Sequence, residues 1–192
     1  MILDSYTAMV PLRALAALLP RPVALALAPH PWARFLVDFM YLPRWRPEWV
    51  RIEGALPPPP FVIVGVHQGH WEMAAAALAH RVPLTVLVRG HDDARLLRFR
   101  EATRARFGIE TLVAPACGRL LAALRRGRAV AMLVDRDGRA PHTAAVLARR
   151  AGCPLLAGAV RDGPRGRYTL RIDPPCDEIG LRKRIETQGR AP

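Results

Sequence analysis

The sequence predicts an α/β protein whose mostly parallel sheet is flanked by helices. From residue 57 onward, short β-rich runs alternate with helical stretches of about ten residues, a rhythm typical of strands joined by crossover helices. These strand-like runs are almost wholly apolar, as expected for strands that are covered on both faces. The composition agrees, because 51% of the 192 residues are hydrophobic and 23% are charged, which suffices for a folded core.

The predicted elements follow one another with short connections. We expect a helical N-terminal segment over 1–56, an α/β domain over 57–176 that opens with a stiff proline linker, and a frayed polar tail over 177–192. Strands are expected at 61–67, 84–89, 109–113, 129–134, 155–160 and 168–172, and helices at 71–80, 93–107, 118–126 and 143–150. Glycines end three of these helices: Gly108, Gly127 and Gly152.

The N-terminal segment is apolar and basic without resembling a membrane span. Residues 8–29 are broken by Pro11, Pro20 and Pro22, whereas a spanning helix needs about 20 uninterrupted apolar residues. Two short helices are therefore predicted there. Residues 31–50 mix aromatic residues with arginines, which suits either a membrane interface or an amphipathic helix packed on its own domain.

The charge and the cysteines limit the function classes. A net charge of +13 favours an anionic partner, such as a lipid surface, an acidic carrier protein or nucleic acid. A nucleic-acid-binding protein remains an alternative, but nucleic acid is not the expected partner, because the arginines are scattered and no DNA- or RNA-binding motif is present. Three unpaired cysteines suit a reducing cytoplasm, and we expect no secretory leader.

Two strand ends carry candidate catalytic residues. The carboxyl ends of parallel strands meet at one edge of a sheet, and here His67 ends one strand while Asp135 and Asp137 follow another. Gly69 permits a tight turn, after which Glu72 falls in the first turn of a helix. A carboxylate on one imidazole nitrogen makes the other a general base, so Glu72 is expected to orient His67. The plainer interpretation makes His67 a turn residue and Glu72 a helix-capping residue.

Other chemistries have weaker support in the sequence. His67, His70 and Glu72 form a conceivable metal-ligand set, but no further Cys or His cluster supports it. A serine or thiol nucleophile is disfavoured, because there is no Gly-x-Ser-x-Gly elbow and no cysteine stands beside a histidine. We therefore expect neither a metal nor a cofactor.

Several motifs resemble one enzyme family in their order along the chain. The segment 65–72, Gly-Val-His-Gln-Gly-His-Trp-Glu, resembles the His-x4-Asp/Glu motif of the lysophospholipid acyltransferase superfamily. Its Gly-x-Trp-Glu form resembles the branch of lipid A biosynthesis lauroyl and myristoyl acyltransferases and phosphatidylinositol mannoside acyltransferases. Residues 104–108, 124–130, 135–137 and 147–154 resemble further family segments in the same order.

The resemblance implies a reaction and a set of site residues. It implies His67 as general base, Glu72 as its orienting partner, and Arg104 and Asp135 as members of the active site. A regular crossover would instead place Arg104, near the end of its helix, on the opposite edge of the sheet. The implied reaction moves a fatty acyl group from an acyl carrier protein or coenzyme A thioester to a hydroxyl of a lipid or glycolipid.

The resemblance also implies a location and shows two departures. The expected location is peripheral, on an anionic membrane surface at the cytoplasmic face of the bacterial inner membrane. The family's aromatic Phe-Phe-Gly loop is absent after Asp137, and its N-terminal anchor and C-terminal part are shortened. A diverged, non-catalytic lipid-binding relic of the same fold is therefore an alternative to the enzyme.

Overall fold

The computed structural model shows an α/β fold, as the sequence predicted. It describes residues 14, 16–28, 31–90, 93–135 and 140–189, without the side chains of residues 31, 32, 165, 188 and 189. The strands within these ranges are β1 (Val50–Glu53), β2 (Val62–Gly65), β3 (Leu84–Val88), β4 (Glu110–Val113), β5 (Ala129–Leu133), β6 (Leu155–Asp162) and β7 (Tyr168–Ile172). The helices are α1 (Arg21–Ala26), α2 (Pro31–Tyr41), α3 (Trp71–Ala79), α4 (Ala94–Ala105), α5 (Cys117–Arg125), α6 (Ala140–Ala151) and α7 (Glu178–Gly189).

The strands form one mostly parallel sheet in the order β1-β7-β6-β2-β5-β3-β4. Only the β6–β7 pair is antiparallel among the described strands. Strands β2 and β5 lie side by side, with Gly65 opposite Leu133. Residues two positions beyond this pair therefore leave the sheet together, which brings the ends of two predicted site strands to one place.

Apolar layers cover both faces of the sheet. Helix α3 and the N-terminal helix α2 pack on one face, with Phe39, Phe61 and Met73 at most 1% exposed. Helices α5, α6 and α7 cover the other face. The nearly continuous apolar sequence of β2 follows from this double coverage.

The N-terminal helices are held to the sheet by a buried polar cluster. The guanidinium of Arg21 donates to both carboxylate oxygens of Asp38, at 2.5 and 3.0 Å, and Asp38 is fully buried. The hydroxyl of Tyr168 on β7 donates to the same carboxylate. A buried carboxylate needs such partners to offset its desolvation, so the cluster ties α1, α2 and β7 together.

Several aromatic residues of 31–50 belong to the protein's own core. Phe35, Phe39 and Tyr41 are at most 9% exposed, so α2 packs on its own domain. The side chain of Trp32 lies outside the described residues. In the described part of the chain, no helix is long and apolar enough to cross a bilayer.

Helix α7 and strand β1 were not predicted from the sequence. The stretch after Cys176 was predicted to be a frayed tail, and this is wrong for 178–189, which form α7. Leu181 of this helix is fully buried against the α5–α6 face of the sheet, which explains its order. Strand β1 was also missed, because four residues are too short for their alternation to be distinctive, and among the described strands it pairs with β7 alone.

Candidate active site

His67 and Asp135 meet at the carboxyl edge of the sheet. Each stands two residues after the paired positions Gly65 and Leu133 of β2 and β5. The Nδ1 atom of His67 lies 2.7 Å from Oδ1 of Asp135. The two side chains remain 24% and 32% exposed, so the pair is reachable from solvent. The two residues meet at one sheet edge as predicted, and of the two it is His67 that lines the cavity described below.

This hydrogen bond sets the chemistry of the imidazole. Partial burial alone would raise the pKa of Asp135, but the hydrogen bonds from His67 outweigh it, and the net pKa is lowered. Asp135 is therefore ionised near neutral pH and accepts the Nδ1 proton. In the neutral tautomer that donates from Nδ1, the Nε2 atom keeps its lone pair and can accept a proton.

The side chain of His67 is also fixed by aromatic packing. The ring of Trp71 lies edge-on to it at 5.0 Å between centroids, and Phe35 packs on Trp71 at 4.4 Å. Trp71 was not singled out as a site residue from the sequence. Its place next to Glu72 in the quoted motif was the signal available.

The turn between His67 and α3 requires glycine at position 69. Gly69 has φ of +61°, a left-handed conformation, and a Cβ there would lie 2.7 Å from the carbonyl oxygen of Val160. Any side chain would therefore collide with the backbone of β6. The predicted tight turn is confirmed, and its cause is the close passage of this loop over the neighbouring strand.

His70 has a structural position. Its Nδ1 accepts the amide hydrogen of Met73 at 3.3 Å, and its Nε2 lies 3.1 Å from the carbonyl oxygen of Phe35, to which it donates. Burial lowers the pKa of His70 to about 4, which keeps the ring neutral. His70 thus caps α3 and joins it to α2.

Glu72 pairs with Arg104, which corrects the expectation that it orients His67. Nε of Arg104 donates to Oε2 of Glu72 at 3.0 Å, and Nη2 donates to Oε1. Burial would raise the pKa of Glu72, but the charge and hydrogen bonds of Arg104 outweigh it and lower that pKa. Both oxygens of Glu72 are engaged, and the carboxylate on His67 belongs to Asp135. Glu72, in the first turn of α3, faces the neighbouring helix α4, whereas it was predicted to face the turn that carries His67.

Arg104 joins the site without any break in its helix. Helix α4 continues without interruption to Ala105, one residue beyond Arg104. The side chain is 7% exposed and reaches the first turn of α3. The side chain of Arg104 therefore lines the same cavity as His67, and the opposite edge of the sheet, which a regular crossover predicted for it, is wrong.

A cavity of about 570 Å³ adjoins these residues on the α3 side of the sheet. Its wall is mostly apolar and includes Ile63, Ala75, Val86, Ala131 and Val160. Five polar side chains also line it: His67, Glu72, Arg89, Arg100 and Arg104. Its size and its few converging polar groups are those of a small-molecule or acyl-chain site.

The side chains of the alternative metal-ligand set make other contacts instead. His67 uses Nδ1 for Asp135, His70 uses both nitrogens, and Glu72 uses both oxygens for Arg104. Among the residues that the structure describes, no group of three His, Cys, Asp or Glu side chains is arranged to hold a metal ion. Asp137, the second carboxylate of the motif, lies outside the described residues.

The fold and the site together define a class of protein. A histidine–carboxylate pair at the carboxyl edge of an α/β sheet, beside a largely apolar cavity, is an arrangement found in enzyme active sites. The family model of bacterial lipid A biosynthesis acyltransferases matches residues 58–180, well over half of the chain, so the chain belongs to that family. Its members are acyltransferases. No curated protein matches the chain.

Proposed function

We propose that this protein transfers a fatty acyl group from an acyl thioester to a hydroxyl of a lipid or glycolipid, with His67 as general base and Asp135 as its orienting partner. The observation that carries the proposal is the 2.7 Å contact between His67 and Asp135. The imidazole of His67 lines the 570 Å³ cavity. Membership of the family supports acyl transfer, and the geometry of the pair supports His67 as the base.

The reaction balances with groups that this chain and its substrates provide. Nε2 of His67 takes the proton of the acceptor hydroxyl as its oxygen attacks the thioester carbonyl carbon. The tetrahedral intermediate collapses by breaking the carbon–sulfur bond, and the imidazolium returns its proton to the departing thiolate. An ester and a free thiol result, with no covalent acyl-enzyme and no cofactor.

The negative charge of the intermediate needs hydrogen-bond donors beside His67. The guanidinium of Arg104 is directed to Glu72 through Nε and Nη2, so it is the weaker candidate. The first-turn amides of α3, at Trp71 and Glu72, have no acceptor within their own helix. We assign the oxyanion to this helix start, where the helix dipole adds to the hydrogen bonds.

The cavity wall suggests how the two substrates are held. Its apolar side chains suit a fatty acyl chain, whose transfer out of water is worth about 0.8 kcal/mol per buried methylene. Arg89 and Arg100 line the same cavity. Their charge suits the anionic donor, either acyl carrier protein or coenzyme A.

The net charge of +13 supports peripheral binding at the anionic, cytoplasmic face of the inner membrane, where a lipid acceptor would be met.

The test is thiol release from an acyl thioester in the presence of a lipid acceptor. His67→Ala should lower turnover roughly 10²- to 10⁴-fold without changing the fold. His142→Ala is the matched control, because His142 also pairs with a carboxylate, Glu178 at 2.9 Å, but lies outside the cavity. Near-normal turnover of folded His67→Ala would contradict the proposal. So would turnover of the unaltered protein that is the same with and without a lipid acceptor.

A further inference from the structure

A second cavity of about 260 Å³ lies between residues 16–17, helix α2 with the turn after it, and α4. It shares no lining residue with the active-site cavity. Its wall combines apolar groups, chiefly Met40 and Phe99, with two guanidinium side chains, Arg44 and Arg106. Nothing in the proposed acyl transfer uses this cavity.

Both arginines of this cavity, Arg44 and Arg106, are without a carboxylate partner among the described residues. Arg44 donates from Nη1 to the carbonyl oxygen of Ala16 at 2.8 Å, which holds it at the cavity. Two like charges on one small cavity repel each other, and an anion between them removes that cost. Arginine is well suited to phosphate, because its planar fork makes paired hydrogen bonds.

One strongly exposed apolar side chain, Leu18, adjoins in sequence the residues that line this cavity. Four large hydrophobic residues are exposed in the described chain, and three of them fall between positions 18 and 27: Leu18 at 81%, Val23 at 46% and Leu27 at 63%. Leu18 directly follows Ala16 and Ala17, which line the cavity. A basic cavity with an exposed leucine beside it combines the two parts of a surface for an amphiphile, a headgroup site and an apolar rim.

We propose that this cavity binds the phosphate headgroup of an anionic membrane lipid, with Arg44 and Arg106 as its ligands. The exposed apolar residues of 18–27 enter the acyl region of the same bilayer. The proposal concerns membrane binding alone and stands apart from the acyl-transfer mechanism.

Helix α4 relates this surface to the active site. Phe99, Thr103 and Arg106 face the second cavity, while Arg100 and Arg104 of the same helix face the active-site cavity. A lipid bound by Arg106 therefore lies one helix away from the acyl-transfer site. Docking through this surface would bring the membrane alongside the entry for a lipid acceptor.

The experiment is flotation of the full chain with vesicles of phosphatidylcholine, with and without phosphatidylglycerol. Arg106→Gln should weaken binding to the anionic vesicles at least about fivefold, the effect of one basic residue near an anionic surface. Arg150→Gln is the matched control with the same charge change. It is an exposed residue of α6, on the opposite face of the sheet, and should change binding less than twofold, well under the ~fivefold effect of a surface-facing arginine. Leu18→Ser should weaken binding to both kinds of vesicle.

The outcomes separate the sources of the charge effect. Equal weakening by Arg106→Gln and Arg150→Gln would mean diffuse attraction and would overturn the headgroup site. Binding of inorganic phosphate can be measured by calorimetric titration. If phosphate binding requires Arg106 and vesicle binding does not, the cavity is a free-anion site and the lipid assignment is overturned. Turnover of Arg106→Gln with a detergent-dispersed acceptor should stay normal, which keeps this test independent of the catalytic proposal.

Discussion

His67 and Asp135 are 68 positions apart in the sequence, and their side chains meet at 2.7 Å because β2 and β5 are neighbouring parallel strands. The other two site residues form a separate buried pair, Glu72 with Arg104. The four residues thus divide into a solvent-accessible histidine–carboxylate pair and a buried ion pair. The predictions below separate the roles of these pairs.

Glu72→Gln should act chiefly on stability. It leaves the guanidinium of Arg104, 7% exposed, without its charge partner, and breaking a buried ion pair in this way costs about 3–5 kcal/mol. Urea unfolding measures the loss, with Glu48→Gln as control, because the Glu48–Arg46 pair is exposed and 3.9 Å long. Replacing both Glu72 and Arg104 by Met should recover much of the stability. A stable Glu72→Gln protein whose turnover falls as far as that of His67→Ala would instead give Glu72 a direct part in catalysis.

Gly69→Ala should impair both stability and turnover. The added Cβ meets the carbonyl oxygen of Val160 at 2.7 Å, so the loop that carries His67 must shift. Gly152→Ala provides the comparison, since Gly152 has nearly the same φ, +63°, with no atom within 4 Å of the added Cβ. The control should lose about 1–2 kcal/mol from backbone strain alone, with normal turnover. Equal effects of the two substitutions on melting temperature and rate would show that the contact with β6 is unimportant.

His70 should make the fold sensitive to mild acid. Burial lowers its pKa from 6.5 to about 4, so the unfolded chain binds the proton more readily and stability falls as the pH drops from 6.5 toward 4. The expected loss is about 2 kcal/mol between pH 7 and pH 5. Glu72, whose pKa is lowered, changes the pH dependence of stability only below about pH 4.5, outside this interval. His70→Asn, which keeps a capping side chain, should flatten the dependence seen in urea unfolding at the two pH values. An unchanged slope would place the acid sensitivity elsewhere.

The sequence predicted most of the fold because its strands are long apolar runs separated by glycine-ended helices. It missed β1 and α7, whose sequences lack a strong apolar pattern. Strand β1 depends on pairing with β7, and α7 is ordered by the burial of Leu181. Both are tertiary effects, which local pattern does not encode.

The membership of the site was predictable, but its pairing was not. Strand ends and family motifs indicated His67, Glu72, Arg104 and Asp135. Proximity in sequence favoured Glu72 as the partner of His67, whereas strand order decides for Asp135. The sheet topology makes β2 and β5 neighbours, and the path of α4 across the sheet brings Arg104 to Glu72. Residue spacing in the sequence predicts neither of these features.

The most direct measurement of the central claim is the turnover of Asp135→Asn with an acyl thioester donor and a lipid acceptor. Asn keeps the size of the side chain but removes the charge that holds the Nδ1 proton and stabilises the imidazolium. Turnover should therefore fall roughly 10²- to 10⁴-fold while the melting temperature stays close to that of the unaltered protein. A folded Asp135→Asn protein that retains turnover within a few-fold of the unaltered protein would contradict the assignment of His67 and Asp135 as the pair that activates the acceptor hydroxyl.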